Sequence, residues 1–175
     1  MPHPSMAAPG YSRARILLHW LSAAVISWAT ITGFAASLCP RQTLFRMAID
    51  LVNPQLTTLF IPFFLWRTGL YLRARPWSRW AGAGPRERVA MLVHGLLYGA
   101  VLVVLASGVL MMPRPWALLG LLPMPVLGAG QAGLFLLHRG ACMALAGLIA
   151  LHLGAVVMHL GLGHPVLRRM SVGRV

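Results

Sequence analysis

The sequence predicts an all-α fold: an integral membrane four-helix bundle of up-down topology. Three observations predict it. Hydrophobic residues make up 58% of the chain and charged residues 10%, and the mean hydropathy is +0.75, a composition that excludes an ordinary soluble domain. The apolar residues gather into four long runs separated by segments rich in proline, glycine and arginine. Histidines lie within these runs, and in the last one His138, His152 and His159 are 14 and 7 residues apart. At about 100° per residue both intervals return a side chain to nearly the same helix face, so these imidazoles look inward together.

The elements follow in order. Residues 1–10 are proline-rich and read as a disordered tail, with His3 solvated. Arg13 and Arg15 lead into a first span over residues 16–38, too long an apolar core for a cleaved signal peptide and therefore retained. Cys39-Pro40-Arg41 breaks the chain. The second span, residues 48–72, contains Asn53-Pro54 and Pro62, which bend a membrane helix without ending it. Arginines from Arg67 to Arg88 then form the densest positive stretch. The third span covers residues 89–112, and the proline-broken segment after it is too interrupted to cross and should lie at the interface. The fourth span is residues 134–161, and residues 171–175 form a second tail.

Orientation follows from the basic residues, all of them arginine. With an even number of spans, eleven arginines (13, 15, 67, 73, 75, 79, 86, 88, 168, 169 and 174) share the side of the termini and four (41, 46, 114 and 139) lie opposite. Both termini are therefore expected to be cytoplasmic. The formal charge of +13 serves this purpose and does not point to nucleic acid, because the arginines flank apolar runs.

Several chemistries are excluded. Asp50 and Glu87 are the only acids, which leaves paired-carboxylate hydrolysis and carboxylate proton relays without material. Cys39 and Cys142 form no C-x-x-C motif, so covalent haem attachment and dithiol chemistry lack their signature. Cys142 reads as core packing and Cys39 as a free thiol in a loop. A transporter would need a charge pair or an unwound span at mid-membrane, beyond what Pro54 and Pro62 provide.

The histidines remain. His19 and His94 each lie six residues past an arginine, about 9 Å into the same leaflet by helical rise. The separation of His138 from His152 corresponds to about 21 Å, most of a hydrocarbon core of about 30 Å. Ionisable groups at such depth mark functional sites by default. One inward imidazole per leaflet is what two stacked haems would require of one helix, since haem iron takes imidazole as an axial ligand. The alternative for His19 and His152 is a pair of interhelical hydrogen bonds, to Ser22 or Ser107 for instance.

Tyr11-Ser12-Arg13 with Leu18-His19-Trp20, His94 with Tyr98 and Ser107-Gly108, then His138, His152, His159 and the closing Arg168-Arg169-Met170 resemble the bacterial cytochrome b561 family from Tyr11 to Met170. The family is a four-helix membrane bundle binding two b-type haems, related to the cytochrome b subunits of hydrogenases and formate dehydrogenases. The resemblance implies that His19 and His152 hold the haem nearer the cytoplasm, and that His138 and a second-span histidine hold the outer one. It also implies that His159 and His94 lie by the inner haem, where ubiquinone or menaquinone binds. One class of members oxidises superoxide at the outer face and passes the electron to quinone.

This chain departs from the pattern at Asn53, which stands where the second-span histidine is expected; no histidine occurs between His19 and His94. Three readings of His138 stay open: a five-coordinate outer haem, an outer haem with its sixth ligand from Met47, Met111, Met112 or Asn53, or no outer haem. The last is favoured, because asparagine is an uncommon ligand and Pro54 disturbs the backbone beside it. His159 reads equally as a quinone contact or a snorkelling interfacial residue, and His164 as part of a helix end. Outer-face arginines would steer an anion such as superoxide, although solvated loop arginines explain them as well.

The sequence thus points to a multi-pass cytochrome of the bacterial inner membrane, with lipid bilayer, quinone and a periplasmic redox protein or dehydrogenase as partners and no nucleic acid. It would bind haem b, with one haem expected and two allowed, and move electrons between a donor and the quinone pool. The alternative is a one-haem or haem-free relative that anchors another oxidoreductase.

Overall fold

A computed structural model describes residues 12–74, 78–112, 115–124 and 131–163. Tyr11, His3, His164, Arg114, Arg168, Arg169, Met170 and the two tails lie outside the described residues. Among those described, four helices are long and apolar enough to cross a membrane: α1 (Arg13–Ser37), α2 (Leu44–Arg73), α4 (Pro85–Leu110) and α5 (Gln131–Gly161). A five-residue helix, α3 (Ser78–Gly82), links the middle pair.

Local chemistry sets the ends. At the α1–α2 corner, Leu38 N–H and Cys39 N–H close onto the carbonyls of Ala35 and Ala36, while Thr43 Oγ1 caps α2 by accepting from Arg46 N–H at 3.3 Å. Arg46 is drawn into this corner. Its Nη1 donates to Ala36 O at 2.7 Å, a second bond to that carbonyl, and its Nε to the Asp50 carboxylate at 2.9 and 3.0 Å. Pro85 opens α4 in its first turn, where a missing N–H costs nothing. Helix α2 continues through Pro54 and Pro62, as membrane helices allow.

The segment between α4 and α5 departs from a purely helical pattern. Strands β1 (Trp116–Leu118) and β2 (Leu122–Met124) pair antiparallel around Leu119 and Gly120, both at positive φ. Gln55 holds the hairpin to α2: its Nε2 donates to Ala117 O at 3.1 Å and its Oε1 accepts from Leu119 N–H at 2.8 Å.

Consecutive spans run antiparallel. Helix α1 packs along α2 and α5 along α4, and α2 against α4 joins the two pairs. Val25, Phe60, Phe64, Val101, Leu105 and Leu145 from all four spans form the buried core at the join. Lipid tails are as apolar as these side chains, so association rests on close packing and on hydrogen bonds between helices. Those interhelical bonds fall in two groups, at the two ends of the bundle.

Candidate functional site

At the end of the bundle that carries the amino terminus of α1, three histidines from three helices share one neighbourhood. His19 comes from the second turn of α1, His94 from the third turn of α4 and His152 from the last third of α5. His94 and His152 meet edge to face with ring centroids 5.3 Å apart. His19 lies within electrostatic reach of both, and of Arg67. Antiparallel packing makes this possible, since positions near the start of α1 and α4 fall level with positions near the end of α2 and α5.

Arg67 is a finding of the structure. Counted in sequence with the arginines on the side of the termini, it lies six residues inside the carboxyl end of α2 and is half-buried. One guanidinium nitrogen, Nη2, is 3.1 Å from His19 Nδ1, and Cζ lies 5.1 Å from the centre of the Tyr98 ring. Tyr98 in turn stacks on Tyr71 at 4.2 Å and leans on Phe64 at 5.6 Å. The signal for Arg67 was present: it lies as far inside Arg73 as His19 lies inside Arg13, and so at the same depth.

The three imidazoles differ in their hydrogen bonds. His94 Nδ1 is 2.6 Å from Ala90 O. A carbonyl can only accept, so Nδ1 carries the proton and Nε2 keeps a bare lone pair, the arrangement usual for a metal-binding histidine. His19 Nδ1 faces a guanidinium, which can only donate, and is therefore the unprotonated nitrogen. Ser22, weighed in sequence as a partner for these histidines, turns back onto its own helix and donates to Leu18 O at 2.6 Å.

At the opposite end the polar residues close on one another. His138 Nδ1 is 3.0 Å from Ser107 Oγ on α4, and its Nε2 is 3.5 Å from Cys142 Sγ one turn along α5. A β-carbon at Gly108 would come within 3.3 Å of the ring, so glycine there lets the imidazole lie against the α4 backbone. Ser107 thus serves His138 and neither of the deeper pair. Asn53 turns to α1: its side-chain amide meets Thr32 Oγ1 at 3.2 Å and Ala29 O at 3.4 Å. Cys142, expected as core packing, touches the histidine. His159 sits exposed in the last turn of α5. An open apolar groove of about 470 Å³ lies outside the α1–α2 pair, lined by Ala14, Leu17, Leu18, Leu21, Phe63 and Trp66 rather than by the histidines.

A four-helix membrane bundle with imidazoles from several helices converging at one level is the architecture of a membrane b-type cytochrome. The chain belongs to the prokaryotic cytochrome b561 family, which it matches over residues 10–173. Comparison with curated proteins and with solved structures gives no match. Membership makes it a multi-pass membrane protein of the electron-transfer class that binds b-type haem. The inner cluster fits that cofactor in donor type. Imidazoles enter from α1, α4 and α5, apolar residues of the spans surround them, and the half-buried guanidinium of Arg67 lies beside them. Among the described residues no three His, Cys, Asp or Glu side chains gather to cage a bare metal ion; haem asks only for axial ligands.

Proposed function

We propose that this cytochrome passes electrons between a donor and the quinone pool through one haem b, held in the leaflet of His19 and His152. The observation that carries this reading is the convergence of His19, His94 and His152 from three helices at one depth. His19 and His152 would hold the haem iron, in keeping with the family pattern, with His94 beside them. Haem bound there supplies a one-electron centre. Ubiquinone or menaquinone binds near His159, whose imidazole lies at the membrane surface, where it can hydrogen-bond a quinone carbonyl and exchange a proton with water. The donor is superoxide or a periplasmic redox protein. The membrane is the bacterial inner membrane with both termini cytoplasmic: setting Arg67 aside as a residue of the span, the arginine bias is still ten to four.

The outer end favours one haem over two. The outer ligand expected from α2 is replaced by Asn53, whose amide is spent on Thr32 of α1, so His138, with Nδ1 on Ser107, has no second imidazole from α2 to share an iron with. The same observation supports a second reading, in which the chain is a reduced relative that anchors a partner oxidoreductase.

Haem per chain in the detergent-purified protein, from pyridine haemochromogen absorbance, tests the proposal. One haem, lost in His152→Ala and kept in His138→Ala, is expected. Two haems would overturn the single-site reading, and none after expression with ample haem would leave the anchor.

A further inference from the structure

The inner site contains a cation that no acidic side chain among the described residues neutralises. Arg67 is half-buried within a membrane-spanning helix, where a charge is costly unless paired. The chain has two acids: Asp50 is paired with Arg46 near the other end of α2, and Glu87 is exposed in the first turn of α4. What Arg67 does contact is Tyr98, through the ring face and a side-chain hydrogen bond, and His19, neither of them a carboxylate. A guanidinium presents its donors in a rigid fork suited to a carboxylate, and the contact with a lone imidazole nitrogen uses little of that fork.

That contact is also incompatible with iron ligation by His19. With Arg67 donating to Nδ1, the proton of a neutral imidazole lies on Nε2. Iron at Nε2 needs that nitrogen bare and moves the proton to Nδ1, which would then point a donor at a donor. Metal-bound histidines instead give their second N–H to an acceptor. Arg67 must therefore leave Nδ1 whenever His19 becomes a ligand, and it must find an acceptor without returning to water.

We propose that Arg67 is the carboxylate-recognition residue of the inner site: it holds His19 before the cofactor enters and transfers to a propionate carboxylate of the tetrapyrrole when His19 takes the iron. The inference rests on the single-haem reading above. Tyr98, held by its stack on Tyr71, keeps the guanidinium in the site through the exchange. The imidazole exchanges its Nε2–H bond for an Nδ1–H bond as Nε2 takes the iron, the proton staying on the ring, and the guanidinium exchanges one hydrogen-bond acceptor for another.

The test compares binding of protohaem with that of its dimethyl ester, which has the same ring and iron but no carboxylates. The full-length chain, produced in a haem-deficient host, is titrated with each in lipid nanodiscs and the Soret band is followed. The chain should prefer the free acid by about tenfold or more, the order expected of one charge-assisted hydrogen bond. Arg67→Leu should remove the preference by weakening the free acid alone, Arg67→Lys should keep part of it, and Arg73→Leu, at the exposed end of the same helix, should keep all of it. Equal binding of acid and ester by the unmodified chain, or an undiminished preference in Arg67→Leu, would overturn the assignment to Arg67 while leaving the haem site standing. Failure of the unmodified chain to bind either porphyrin would overturn the haem site as well. Should Arg67→Leu not fold, the acid-to-ester ratio in Arg67→Lys decides, and a ratio equal to that of the unmodified chain counts against the proposal.

Discussion

The hydrogen bond between His138 and Ser107 is the most direct handle on the outer end of the bundle. At 3.0 Å it joins α5 to α4, and removing either partner leaves the other facing an apolar interface. Interhelical hydrogen bonds in membrane proteins contribute on average about 0.6 kcal/mol and at most about 1.7 kcal/mol. The short distance and the support from Cys142 and Gly108 place this one in the upper half of that range. Ser107→Ala and His138→Ala should each destabilise the protein, and the double variant should lose less than the sum, with a coupling of about 1 kcal/mol. The assay is loss of helical circular dichroism in mixed micelles on addition of denaturing detergent, with haem content measured on the same samples. Haem should remain in all three variants. Coupling below about 0.3 kcal/mol, the scatter expected of independent sites, or loss of haem from His138→Ala would refute the reasoning and return His138 to the role of a ligand.

Other sites give sharper local readouts. Gly108→Ala should reproduce most of the Ser107→Ala loss, because the added β-carbon would lie 3.3 Å from the His138 ring; thermal inactivation of the two variants compares them. Arg46→Leu should cost about 1 kcal/mol through loss of the bond to Ala36 O, whereas Asp50→Asn, at an exposed ion pair, should cost a few tenths, both read from the same unfolding assay. Gln55→Ala should free the 116–124 hairpin, seen as faster amide exchange there with unchanged exchange in α2. Finally, His94→Ala should retain haem while His19→Ala loses it; the reverse result would make His94, with its Nε2 already bare, the axial partner of His152.

Hydropathy and spacing made the four spans legible, since only helices satisfy their own backbone groups across lipid and about 20 apolar residues suffice for each. The depth of His19, His94 and His152 was legible for the same reason, because rise per residue converts position in a span into height. The hairpin was less so: short strands between prolines carry little periodicity, and what fixes this one is a side chain far away in sequence, Gln55. Arg67, although inside the second span, was counted with the water-facing arginines because an arginine near a span end usually sits in water.

The sequence by itself therefore determined that four segments are long and apolar enough to cross a membrane, where each histidine stands along its segment and that asparagine occupies position 53. Tertiary structure alone decided who faces whom. Rotation about each helix axis and the pairing of α1 with α2 and α4 with α5 are set by side-chain packing summed over the bundle, which no single span encodes. From that packing come the turn of Asn53 toward Thr32, the seat of His138 against Ser107, and the meeting of Arg67 with His19.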